Sequence, residues 1–251
     1  MRLRAMRRDR AARMGPELFL LERAFADCLD RIAMMERRFT RALLIGCPDA
    51  TWPRRLEPIA SHIEVRDPGP AFVSVAGGSP IVEDAWTAEA GTYDLVLAIG
   101  TLETVNDLPL ALQLVRHAMM ADGLFIGAIS GGDTIPHLRT AMRAADAVTG
   151  AAAPHVHPRI EPSALSPLLT EAGFVRAVVD VDRVRASYKS FGDLVHDLRA
   201  MGATNVLQMR APPLTRAQIA AAERAFAAAG DGQRTAETFE VLHFAAWTPA
   251  S

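Results

Sequence analysis

The stretch ALLIGCPDAT, residues 42–51, decides how the fold is read. Its first half is a continuous apolar run, the pattern of a parallel strand covered on both faces. Gly46 ends that run, and Cys47, Pro48 and Asp49 carry the chain into a turn. Upstream, Leu18, Leu21, Phe25, Leu29 and Ile32 recur at helical spacing behind Pro16, which predicts an amphipathic helix over 17–38. Downstream, a short helix near 53–60 and a strand ending at Asp67 follow, then one or two short strands within 71–83. TYDLVLAIG, residues 92–100, is a second buried strand. Asp107 suits an N-cap and Pro109 the first turn of a helix reaching about Met120. Asp122-Gly123 turns into the strand LFIGAIS, and SGGDT, residues 130–134, leads into a helix to about Thr149 capped by Asp133 or Thr134. Strands alternating with helices predict an α/β fold built on a parallel, doubly wound sheet.

Beyond Gly150 the text changes. Residues 150–162, GAAAPHVHPRIEP, read as a loop, followed by a helix over 163–172 that Gly173 ends. Two strands, 174–184 and 237–247, bracket about 50 residues of helical character, including 190–201 and 215–229. Met201 and Met209 in that region read as core filler.

Composition narrows the class. The 251 residues are 50% hydrophobic and 22% charged, with a net charge of −2, which suits a globular domain and argues against nucleic acid as partner. No segment approaches the roughly 20 uncharged apolar residues of a membrane span. Cys28 and Cys47 form neither a bridge framework nor a metal spacing, so the cytoplasm is the expected compartment. The N-terminal run MRLRAMRRDRAARM is arginine-rich and reads as a solvated lead-in to the first helix. His155 and His157 lack a third ligand in the sequence and read as loop residues. Tyr188 reads as a core residue with a tethered hydroxyl.

Several stretches resemble one branch of the class I S-adenosylmethionine-dependent methyltransferases. They are RRDRAA (7–12), FLLE (19–22), VNDLPLAL (105–112), DGLFIGAISGGDTIPHLR (122–139), PHVHP (154–158), EAGF (171–174), YKSFGDLVHDLRAMGATN (188–205) and TFEVLHFAAW (238–247). The branch holds the methyltransferase-like complex I assembly factors, one of them associated with arginine hydroxylation, and is related to the malonyl-carrier-protein methyltransferase of biotin synthesis. The resemblance implies a Rossmann-like, mostly parallel seven-stranded sheet with helices on both faces and a helical insertion before the last strand. It divides the chain into a helical lead-in over 1–40, a core over 41–187, the insertion over 188–235, and the last strand with the C-terminus over 236–251.

The resemblance also implies S-adenosylmethionine as cofactor and a protein or carrier-bound substrate. Gly46, Cys47 and Asp49 fall at the cofactor turn, Asp67 at the acid for the ribose, Glu83 and Asp84 where adenine is read, and Gly100 at the end of the fourth strand. The turn departs from its pattern, an acid followed by Gly-x-Gly-x-Gly. Leu44 replaces the acid, and Pro48 and Ala50 replace the second and third glycines. Pro48 has no N–H to donate and Ala50 adds a methyl, so the cofactor is expected to bind weakly. Glu103-Thr104 stands where the branch often has His-Trp, making Glu103 a candidate proton acceptor or orienter of a substrate amine or guanidinium. SGGDT lies where open α/β sheets take ligands and reads either as ligand contact or as capping. Two functions remain open: a modifying enzyme, or a non-catalytic assembly or binding protein with a degenerate cofactor turn.

Overall fold

The alternating faces of the central strands organise the molecule. The structure is a computed structural model describing residues 2–208 and 212–250, so Met209 lies outside the described residues. On β1 (Phe39–Ile45), Leu43 and Ile45 face one side and Leu44 the other. On β4 (Tyr93–Ile99), Val96 and Ala98 share the first side, while Leu95, Leu97 and Ile99 share the second. With both faces apolar, the strands must be covered by helices on each side.

The remaining strands are β2 (Ala60–Asp67), β3 (Ser79–Pro80), β5 (Met119–Ser130), β6 (Val175–Tyr188) and β7 (Thr235–Trp247). Their order across the sheet is β3-β2-β1-β4-β5-β7-β6. The pairings from β3 through β5 are parallel, which with seven strands in all is the mostly parallel sheet expected, and β7 runs antiparallel between β5 and β6. One face is covered by α2 (Phe19–Ala33) and α3 (Trp52–Leu56), with Phe25 stacked on Trp52 at 4.2 Å. The other is covered by α5 (Leu108–Ala118) and α7 (Pro162–Glu171). A third cluster joins α6 (Pro136–Thr149), α8 (Phe191–Ala200) and α9 (Arg216–Ala228) around Leu138, Leu194, Phe226 and Tyr188. Met201 is buried, as filler should be. No helix among the described residues is long and apolar enough to cross a membrane.

Three local readings change. Residues Pro70–Ala76 form a helix, α4, rather than a strand; Pro70 starts it and Gly77, at φ +73°, stops it. These signals prevail over the strand-favouring phenylalanine and valines. Neither Asp133 nor Thr134 caps α6. Residue Ile135 precedes the helix at φ +54°, and Thr134 instead bonds both backbone groups of Glu240. The cap comes from β7, where the buried Glu237 carboxylate accepts from the backbone N–H groups of Leu138 at 2.8 Å and His137 at 3.3 Å. A carboxylate at a helix N-terminus meets both unpaired donors and the positive end of the dipole. The N-terminal arginines form a third correction: Arg2–Met14 is a helix, α1, and Arg4 and Arg8 are each only 4% exposed, not solvated.

Because the cap of α6 is supplied from β7, Glu237→Ala is expected to orphan buried donors and cost about 2–4 kcal/mol. Asp133→Ala should stay within about 0.5 kcal/mol, as for an ordinary surface change. Urea unfolding of the two variants checks the difference.

Candidate functional site at the strand ends

The carboxyl ends of β1, β2 and β4 meet beneath α1. Gly46 turns at φ +86° immediately after β1, and its N–H donates to the Arg66 carbonyl at 2.8 Å. A Cβ there would overlap the Ile99 carbonyl of β4, so the glycine serves the close approach of two strands. Cys47 follows, 1% exposed, its N–H donating to Asp67 at 2.8 Å. Burial, reinforced by Asp67 and Asp49, pushes its thiol up to about 12, so it is no nucleophile at neutral pH. Asp49 is half-buried and spends Oδ1 on the N–H of Thr51, closing its own turn. Leu44 is fully buried against α2, a core side chain where the family pattern has an acid.

Asp67 ends β2 with no exposed surface. Its Oδ1 accepts from Arg8 Nε and the Gly69 N–H, both at 2.7 Å. Its Oδ2 accepts from Arg8 Nη2 at 2.5 Å and the Cys47 N–H. Four donors fill the lone-pair sites of one carboxylate. Arg8 also gives Nη1 to the Gly100 carbonyl at 3.1 Å and lies over the Phe72 ring. Burial opposes its charge, but Asp67 outweighs burial and holds the guanidinium above its ordinary value.

A second pair lies one helical turn away. Arg4 grips both oxygens of Glu83, which has no exposed surface. It also donates to the Thr101 carbonyl at 2.5 Å and Thr104 Oγ1 at 2.8 Å. Asp84 turns the other way, its Oδ2 accepting from the N–H groups of Asn106 and Asp107 and tying the loop before β4 to the start of α5. Gly100, at φ +64°, lets Leu21 of α2 pack against its Cα.

The expected residues are therefore brought together, but Asp67 and Glu83 are committed to α1, while Asp84 Oδ1 has no partner among the described residues. With α1 seated, Asp67 has no acceptor site left for ribose, and Glu83, with no exposed surface, is covered by Arg4. The cavity beside them, lined by Arg4, Arg8, Gly100, Glu103 and Arg159, holds about 70 Å³. Small-molecule pockets run to roughly 300–1,000 Å³. In this state the residues present do not fit the cofactor.

A neighbouring cavity of about 370 Å³ is lined by Glu103, Thr104, Asn106, His157 and Arg159. Glu103 Oε2 and Arg159 Nε and Nη1 are shielded from water there, with no hydrogen-bond partner among the described residues. Burial lowers the Arg159 guanidinium below its ordinary value, with Glu103 pulling the other way. Arg159 was not singled out from the sequence; its position directly after PHVHP was the available signal. His157 lines this cavity and burial lowers its pKa, whereas His155 bonds Asp146 at 2.7 Å. The glycines of SGGDT make room for carboxylates of the protein itself. A Cβ on Gly131 would overlap Glu240, and one on Gly132 would overlap Glu161.

The strand order, with an antiparallel strand inserted beside β5 and a crevice over β1, β2 and β4, defines a class I methyltransferase fold. The phosphoethanolamine N-methyltransferase 2 of Haemonchus contortus, solved with S-adenosyl-L-methionine, superposes at a TM-score of 0.55 with 11% identity over 90% of this chain and 52% of that one. No protein-family profile matches the chain. The chain is 31% identical over 248 residues to the mitochondrial arginine-hydroxylase NDUFAF5 of Mus musculus, covering 91% of this chain and 70% of that protein. It belongs to that family. It is also 32% identical over 162 residues to the malonyl-[acyl-carrier protein] O-methyltransferase of Xylella fastidiosa, across 64% of this chain and 53% of that protein.

Truncating Arg8 strands a buried Asp67 carboxylate, so Arg8→Met should cost about 3–5 kcal/mol. Adding Asp67→Asn should recover most of that loss. A double-mutant cycle by chemical denaturation checks it.

Proposed function

We propose that this chain is a modifying enzyme of its family, acting on a side chain of a protein or carrier-bound substrate. The observation that carries the reading is the pair Glu103 and Arg159, opposite charges with unpartnered buried atoms on one cavity. Leaving such atoms unpaired costs about 1–3 kcal/mol each, and a ligand with complementary charges would recover that cost. Arg159 is placed to hold an anionic group and Glu103 to orient a cationic group or take a proton at Oε2. The names of the relatives support methylation or arginine hydroxylation, and the cofactor in this reading is S-adenosylmethionine, over Gly46, Cys47, Asp49, Asp67, Glu83, Asp84 and Gly100. No chemistry is assigned through that cofactor while α1 fills Asp67 and Glu83. Two buried free cysteines support a reducing compartment, for which the cytoplasm is our reading.

One observation favours a second reading, a non-catalytic assembly or binding protein: Asp67 is saturated by Arg8 and backbone, and Glu83 is bonded to Arg4 through both oxygens. Incubating the chain with S-adenosylmethionine and extracts of its host, then searching proteins by mass for an added methyl or oxygen, separates the two. Modification that Glu103→Gln abolishes supports the enzyme, and absence of any modified protein supports the binding module.

The unpaired charges also predict a trade of stability for function. Arg159→Met should raise stability by about 1–3 kcal/mol in urea unfolding while removing the modification. A loss of stability would show that Arg159 is structural.

A further inference from the structure

Helix α1 is docked by charge. It carries no apolar stripe, and the face it buries is Arg4, Arg8 and Ala11 at i, i+4 and i+7. Its anchors are the bonds of Arg4 to Glu83, Thr101 and Thr104, those of Arg8 to Asp67 and Gly100, and the Asp9 carboxylate accepting from the Ala71 N–H at 2.8 Å. Burying ion pairs returns little net energy, because desolvation consumes most of the attraction. A helix of 13 residues is also marginal by itself in water. Apolar packing, by contrast, anchors α2 through Ala24, Phe25, Cys28 and Ile32. Between the two helices stands Gly15, at φ +83° with open space where a Cβ would be. The segment therefore has an arm held chiefly by charge, a base held by apolar packing and a joint between them.

We propose that α1 and a nucleoside cofactor occupy the same crevice in turn, Arg4 and Arg8 holding Glu83 and Asp67 until α1 swings out about Gly15. The inference rests on the reading of this crevice as a nucleoside site. When Arg8 leaves, Asp67 keeps the N–H groups of Cys47 and Gly69 and regains two acceptor sites, the number needed by two ribose hydroxyls. Ribose brings no positive charge to replace a guanidinium, so entry must overcome the departing ion pairs. The intact chain consequently binds nucleosides weakly.

The test is calorimetry of the full chain with S-adenosylmethionine and S-adenosylhomocysteine, comparing wild type with Arg4→Ala/Arg8→Ala and with Asp9→Ala. The arginine variant exposes both acids and is the direct probe. Asp9→Ala loosens α1 while leaving all four charged partners in place, and stands in if the arginine variant does not fold. Binding at least tenfold tighter in a folded variant is expected, with faster hydrogen exchange across residues 2–14 whenever nucleoside binds. Equal binding by wild type and variants, with α1 amides still protected, overturns the alternation but leaves the cofactor reading intact. No binding by folded variants at millimolar nucleoside overturns both.

Discussion

The bidentate pair of Arg8 and Asp67 is the contact on which the rest of the site depends. Neither partner is stable alone in the interior, since an unpaired buried charge is worth far more in water. Together they fix where α1 lies, and through Arg8 Nη1 they reach the end of β4 at Gly100. The same Asp67 holds the Cys47 and Gly69 N–H groups, so the turns after β1 and β2 are locked by one carboxylate. Arg4 and Glu83 repeat the arrangement beside it. A crevice that the fold places over the strand ends is filled by the protein's own guanidinium groups.

That filling gives the altered turn a physical setting. Pro48 cannot donate a hydrogen bond and Leu44 cannot accept one, yet neither defect strands a partner here. Leu44 joins the core against α2, and Cys47 supplies a backbone donor that Asp67 uses. Gly46 keeps its place for a reason internal to the sheet, the nearness of Ile99. The turn is thus consistent with its own neighbours, whereas Glu103 Oε2 and Arg159 Nε and Nη1 have no partner among the described residues. Local inconsistency of that kind concentrates at sites of function.

Particular elements mark how much could be read from residues in order. The parallel strands at 42–46 and 92–100, the two closing strands and the Asp107 cap were legible because each is a local pattern of burial or hydrogen bonding. The residues of the candidate crevice were legible too, from Gly46 to Glu103, through family resemblance and position after strands. Their state was not. Nothing near Arg4 or Arg8 in sequence announces carboxylates 79 and 59 residues away, and a run of arginines is ordinarily a solvated face. The cap of α6 by Glu237, about 100 residues distant, was hidden for the same reason.

By itself the sequence determined the layers of this protein, the order of its strands and helices, and the family to which it belongs. The layers and the order of elements follow from periodicity and from short-range turn and cap chemistry, whereas the family follows from the likeness of particular stretches to known relatives. Only the tertiary structure decided that Arg4 and Arg8 are buried, that Asp67 and Glu83 are taken, and that Glu103 Oε2 and Arg159 Nε and Nη1 have no partner among the described residues. A charge is solvated or buried according to what the folded chain sets beside it, and that is fixed by contacts between residues far apart in sequence.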